Sequence, residues 1–255
     1  MKYVMSKNNV VNKNFRKSIS KIALLGLVLA IAAMVTIAIS VVGYRLGWWR
    51  HPQAFSLFGW ATYAAIPALI SSAYALFKTH PQGKQRGFLF AIMGIVLSVP
   101  IISMTVMFEY NAKAYPRIND ISTDTLDPPS FWDVAEPMEY PGESVAELQQ
   151  EAYPDLKPLL LPVSSDQVFK HALAIITDNG WDVVAKVPGE GRIEAIVTSL
   201  LYGFKDEVVV RITSSNGETI VDVRSRSRIG RIDRGTNAKR IRGYLKALKE
   251  RVIQS

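Results

Sequence analysis

The chain of 255 residues has no cysteine. Disulfides, thiol nucleophiles and cysteine-based metal sites are thereby excluded. A second absence says more. Residues 1–108 contain 11 Lys and Arg but no Asp or Glu, and all 22 acids lie from Glu109 onward. Three charge-free apolar runs sit in that acid-free stretch: Ile22–Tyr44, Ala54–Phe77 and Gly87–Phe108. Each is long enough to cross a hydrocarbon core of about 30 Å, which takes about 20 helical residues. None carries an ionisable side chain, the usual mark of ion and proton pathways, so the bundle reads as an anchor rather than a channel or pump. Pro67 and Pro100 fall mid-span, where proline is tolerated. Gly26, Ala30 and Ala33 offer a small-residue face for a neighbouring helix. The first run is too long for a signal-peptide core and reads as a retained span.

The formal net charge of +8 hides the arrangement. Residues 1–108 carry +11, whereas the remaining 147 carry 19 bases and 22 acids. The excess positive charge flanks spans, which argues against nucleic acid as a partner. Lys2, Lys7, Lys13, Arg16, Lys17 and Lys21 precede the first span, and Lys78, Lys84 and Arg86 lie between the second and third. The opposite side has Arg45, Arg50, Lys113 and Arg117. Nine against four predicts a cytoplasmic N-terminus in a multi-pass protein of the cytoplasmic (inner) membrane. Three crossings then put residues 109–255 outside the cytoplasm.

The expected organisation is a membrane domain over 1–108, an acidic proline-rich connector over 109–157 and a soluble domain over 158–255. The connector has 11 acids and three bases, and is broken at Asp127-Pro128-Pro129 and Glu136-Pro137. One helix is expected near Ser144–Ala152. Beyond it, Leu159–Val163 reads as a strand, and Ser164 with Gln167 opens a helix as a capping box. Val168, Phe169, Ala172, Leu173 and Ile176 form that helix's apolar face, and Gly180 stops it. Strand-like runs follow at Trp181–Val187, Arg192–Ser199, Glu207–Thr213 and Thr219–Ile229. Asn216-Gly217 signals a type I′ hairpin turn. Ile193, Ala195 and Val197 share one strand face, as do Val208, Val210 and Ile212. Ile241, Leu245, Leu248 and Val252 make the stripe of a final helix. The fold class predicted is a three-helix transmembrane bundle plus an α+β domain, an antiparallel sheet of four to five strands with helices on one face.

Three segments carry a resemblance. They are Ile118–Asp124, Gly203–Arg211, and Asp222–Gly230 followed by Asp233, Gly235, Asn237 and Arg240. Together, over about residues 115–250, they resemble the bacterial and plastid family catalogued as domain of unknown function 1499. The resemblance supports the domain and implies no established activity.

The densest chemistry lies between Arg224 and Arg251, with 11 Lys and Arg against Asp233 and Glu250. Arg224, Arg226 and Arg228 alternate along a strand. Arg231 and Arg234 follow in a loop, with Asn237 and Arg240 at the start of the last helix. Guanidinium forks beside a helix N-terminus suit phosphate or carboxylate. Arg224, Arg228, Arg231, Arg234, Asn237 and Arg240 are therefore the candidate ligand-binding residues. The opposing reading is structural: Asp222 and Asp233 pair with the arginines, Asp233 or Asn237 caps the helix, and the acidic connector covers the basic face. Arg228 and Arg240 are expected to converge without a carboxylate between them.

Enzymatic signatures are thin. There is no zinc spacing, P-loop or Gly-x-Ser-x-Gly, and Gly189-Glu190-Gly191 reads as a hairpin turn. No cofactor and no metal site is expected. His171 reads as a partly buried helix residue, and Glu194, Asp206 and Glu207 as solvated strand and loop positions. Trp181, Tyr202 and Phe204 read as core. The function expected is a membrane-anchored extracytoplasmic binding or interaction module, for an anionic envelope ligand such as a lipid headgroup. The expected partners are the bilayer, that ligand and a membrane protein. Two other readings are an envelope hydrolase or transferase using Asp206, Asp222 or Asp233, and a structural subunit of a membrane complex.

Overall fold

The computed structural model describes residues 18–83 and 85–254. Lys2, Lys7, Lys13, Arg16, Lys17 and Lys84, used above for orientation, lie outside the described residues. The chain divides into two compact units between Thr105 and Val106.

The first unit is built on three helices, α1 (Lys21–Arg45), α2 (His51–Thr79) and α3 (Phe88–Ala114), of which α3 continues past the division. All three are long and apolar enough to cross a membrane. Their outer surfaces are large and apolar, with Leu25, Val28, Trp60, Ile70 and Val96 exposed. Their mutual faces are small: Ala23, Gly26, Ala30 and Ala33 of α1 are buried, as are Ala61, Ala65, Ala68 and Ala75 of α2. In lipid, large side chains gain nothing by leaving the hydrocarbon, so small residues that let backbones approach decide which faces meet. A close approach centres on Ser72. A Cβ added at Gly26 would lie 2.3 Å from its Oγ, and one at Gly94 of α3 would lie 2.1 Å away. Hydrogen bonds join the helices, from Ser40 Oγ to the Ala54 carbonyl at 2.7 Å and between the hydroxyls of Thr62 and Thr105 at 2.7 Å.

The second unit runs from Val106. Its elements are β1 (Asp120–Ser122), α4 (Glu143–Ala152), β2 (Leu159–Leu161), α5 (Ser165–Asp178), β3 (Asp182–Val187), β4 (Arg192–Thr198), β5 (Lys205–Ser215), β6 (Glu218–Ser227) and α6 (Thr236–Ile253). They form one antiparallel sheet ordered β1-β6-β5-β4-β3, with β2 also paired to β6. The six strands are close to the expected four to five, the additional one being Asp120–Ser122, which pairs with Arg224–Arg226. Three residues are too few for a period-2 signal, so that strand is invisible in the connector's sequence.

Local signals are realised where they were strong. Ser164 accepts from the Gln167 amide at 3.4 Å and caps α5. Asn216 and Gly217 have φ of 52° and 83°, the positive values a type I′ turn needs. The helices α5 and α6 lie on one face of the sheet. Val168, Ala172 and Ile176 pack there with Ile241, Leu248 and Val252 against Ile193, Val208, Val210 and Val223. Tyr244, which the aliphatic stripe did not mark, is also buried in α6; it stacks on Trp181 at 5.7 Å and donates to the Ala172 carbonyl at 3.2 Å.

Candidate functional site

The other face of the sheet carries charge. The ladder registers align Arg192 and Glu194 of β4, Glu207, Val209 and Arg211 of β5, and Asp222, Arg224 and Arg226 of β6. Glu194 and Glu207 are fully buried, which corrects their reading as solvated positions; Arg224 is 1% exposed. The cover comes from residues 124–140. Phe131 and Val134 pack on Val209, and the Phe131 ring lies under the guanidinium carbons of Arg224 (4.8 Å) and Arg226 (5.4 Å). A charged face is buried here because the covering segment supplies polar groups as well as a ring, and buried charge is tolerated only when paired.

Arg224 is bound at every nitrogen. Its Nε and Nη2 donate to the two carboxylate oxygens of Asp120 at 2.9 and 2.8 Å, while Nη1 and Nη2 donate to the carbonyls of Pro129 (3.1 Å) and Met138 (3.0 Å). The Glu194 carboxylate accepts from the amides of Trp132, Asp133 and Val134 at 2.8, 2.9 and 3.1 Å, and from Arg192. Arg211 reaches Asp124, Asp127 and Asp222. Glu207 is shared by Arg226 and Arg228, the latter donating through Nε at 2.6 Å. Burial pushes the carboxyls of Asp120 and Asp222 up, against the opposing pull of Arg224 and Arg211.

On the helix side a second polar cluster fastens the start of α6. Asp233 accepts from the amides of Gly235 (2.9 Å) and Asn237 (2.8 Å), and so caps the helix from before its first turn. The Asn237 amide nitrogen donates to the Asn119 carbonyl and the Ser227 hydroxyl, and its oxygen accepts from Ser225 at 2.8 Å. Arg240 donates to Ser225 Oγ at 2.8 Å, to Asn237 and to Asp206 at 2.6 Å.

Arg228 and Arg240 therefore do not converge as expected. Their carboxylates, Glu207 and Asp206, are neighbours in β5, and successive side chains of a strand project to opposite faces. Each guanidinium has its own partner on its own side. Asn237 is fully buried between β6 and α6. What stays open is the loop joining them. Arg231 is exposed and makes no hydrogen bond or ion pair within the described residues. Arg228 Nη2 and Arg234 Nε are buried and have no hydrogen-bond partner among the described residues. The Arg234 guanidinium lies 3.5 Å from the ring centroid of Phe108, the residue that ends the third apolar run.

The three carboxylates considered for hydrolysis are engaged separately: Asp206 by Arg240, Asp222 by Arg211 and Thr123, Asp233 by the α6 amides. An open cleft of about 580 Å³ is lined by Asp222 but by neither of the other two. Among the described residues no group of three His, Asp or Glu is arranged to hold a metal ion. The acidic connector covers the basic face, as the structural reading expected; sequence reasoning missed Asp120 as the partner of Arg224 and misread the buried Glu194. The one signal for them was charge balance, an acidic connector facing a basic strand.

Two comparisons bear on this domain. The family model described as Protein of unknown function (DUF1499) matches residues 120–248. No curated protein matches the chain.

Proposed function

The chain belongs to the DUF1499 family, and from that premise we propose that it is a membrane-anchored module whose soluble domain takes an anionic ligand at the outer face of the cytoplasmic membrane. The ligand has phosphate or carboxylate chemistry, as in a lipid headgroup or another envelope anion. The observation that carries this reading is the open guanidinium of Arg231 in the β6–α6 loop. Arg224 and Arg240 are consumed by internal partners, whereas Arg231 is exposed and unpaired among the described residues; Arg228 Nη2 and Arg234 Nε also lack a partner but are buried. Arg234 lies over Phe108, the residue that ends the third apolar run, and this supports a loop near headgroup level. Basic side chains near an anionic surface contribute about 1 kcal/mol each.

The test is a melt of the full chain in neutral detergent, with phosphate or chloride at matched ionic strength. Ligand at 100 times its dissociation constant adds about 2.7 kcal/mol, so phosphate should raise the melting temperature of the soluble domain. The double variant Arg231→Gln, Arg234→Gln should lose that difference and keep the melt in chloride. Equal melts of the parent chain in the two salts would sink the reading and leave a structural subunit as the better one.

Orientation rests on the Lys/Arg asymmetry of nine against four. Alkaline phosphatase fused after Ser255 should be active in cells, and a fluorescent protein that matures only in the cytoplasm should be dark. The reverse pattern would place the domain inside and remove envelope ligands from consideration.

A further inference from the structure

The loop between β4 and β5 exposes two leucines where a soluble domain would ordinarily place polar residues. Leu200 is 94% exposed and Leu201 is 40% exposed. The loop holds its shape: the Ser199 amide donates to the Phe204 carbonyl at 2.8 Å, the Gly203 amide to the Ser199 carbonyl at 2.9 Å, and the Phe204 amide to Ser199 Oγ at 2.8 Å. Beneath the leucines, Tyr202 is buried and stacks on Phe204 with ring centroids 5.2 Å apart and planes 8° apart. A rigid, aromatic-backed base thus presents an apolar tip.

The ladder fixes where that tip lies. Thr198 pairs with Lys205 and Asp206 with Ser227, and the Arg228 amide donates to the Lys205 carbonyl at 3.2 Å. The tip therefore shares one end of the sheet with the β6–α6 loop. The second unit begins with the last turns of α3 from Val106, and the same end meets them. Arg234 covers Phe108, Lys239 lies 5.5 Å from the Tyr115 ring centroid, and the Tyr115 ring lies against Gly235. From Phe108 to the end of α3 at Ala114 is six residues, about 9 Å of helix rise. That is close to the depth of one interfacial layer, roughly 5–8 Å. Lys205 and Arg231, both exposed at this end of the sheet, accompany the leucines as basic residues accompany apolar side chains that enter an interface.

We propose that Leu200 and Leu201 form a membrane-inserting tip, which docks the soluble domain onto the bilayer that anchors it. The occupant of this apolar surface is lipid. The inference does not depend on the anion reading, because apolar insertion needs no charged headgroup.

The absence of cysteine makes a direct test available. Leu200→Cys and, separately, Leu126→Cys in the full chain each carry one environment-sensitive dye. Leu126 is equally exposed at 94%, but it precedes Asp127, whose partner Arg211 lies six residues along β5 from Lys205, about 20 Å from the tip's end of the sheet. Both proteins are reconstituted into neutral phosphatidylcholine nanodiscs with and without lipid-borne nitroxide. The dye at position 200 should emit at shorter wavelength and be quenched several-fold more than the dye at 126. A ratio near one, whether both dyes are quenched or neither is, overturns the proposal. A blue-shifted but unquenched dye at 200 also overturns it, since a second copy of the chain would then cover the leucines. Neutral lipid keeps the outcome separate from the phosphate test above.

Discussion

Arg224→Ala should cost the soluble domain about 3–5 kcal/mol, because it strands the Asp120 carboxylate in a site that excludes water. Asp120 is 1% exposed and receives two of the four hydrogen bonds that Arg224 donates. The carbonyls of Pro129 and Met138 lose their donor in the same step, and the rings of Phe131 and Tyr140 lose the cation they stack on. Small domains are stable by about 5–15 kcal/mol, so the loss is a large share of the total. For a unit of 150 residues each kcal/mol moves the melting temperature by about 2–4 °C, giving a fall of roughly 6–20 °C. The measurement is denaturant unfolding of the full chain in mild detergent, followed by near-ultraviolet dichroism. The double variant Arg224→Met, Asp120→Leu should recover part of the loss, since no charge is left behind and only the two carbonyls go unpaired. A cost for Arg224→Ala below about 1 kcal/mol, the range of exposed ion pairs, would contradict the burial of this pair.

The second large effect is local. Glu194→Ala removes the acceptor of three consecutive amides, those of Trp132, Asp133 and Val134. Hydrogen bonds to a charged group contribute about 1.5–3 kcal/mol each, yet the segment can release its amides to water by lifting off. The expected outcome is therefore opening of residues 124–140 with the helix-side core intact. Phe131 and Val134, which pack on Val209, hold the segment weakly once the carboxylate is gone. A drop of about 3 kcal/mol in the local opening free energy would speed proteolytic nicking by about two orders of magnitude. Limited proteolysis with sequencing of the new N-terminus reads both rate and site. Glu194→Gln keeps one carbonyl oxygen and should fall between. Unchanged cleavage, or cleavage confined to other loops, would show that the carboxylate does not hold the cover.

These two variants also mark where the sequence stops being informative. Glu194 and Glu207 stand at alternate strand positions among apolar neighbours, and period-2 logic assigns such charges to water. That assignment holds only when one face is solvated. Here the face is covered by a segment 60 residues earlier in the chain, with Glu194 accepting from Val134. No local pattern encodes such a meeting. The arginine cluster shows the same limit. Sequence grouped Arg224, Arg228, Arg231, Arg234, Asn237 and Arg240 by proximity, whereas the sheet sends Arg224 and Arg228 to one face and Asn237 and Arg240 to the other, and leaves Arg231 in the open loop.

By itself the sequence determined the three spans, the α+β class, the hairpin at Asn216-Gly217, the capped start of α5 and the family resemblance. Each rests on information within a few residues or one period: unbroken apolar length, alternation, a turn that needs positive φ, a hydroxyl three residues before an amide. Only the tertiary structure decided that Asp120–Ser122 is a strand, that a charged sheet face is interior, and that Leu200 shares an end of the domain with Arg231 and the close of α3. Those facts are pairings between distant segments. Burial, unlike helix or strand, belongs to what returns to cover a residue and not to the residue itself.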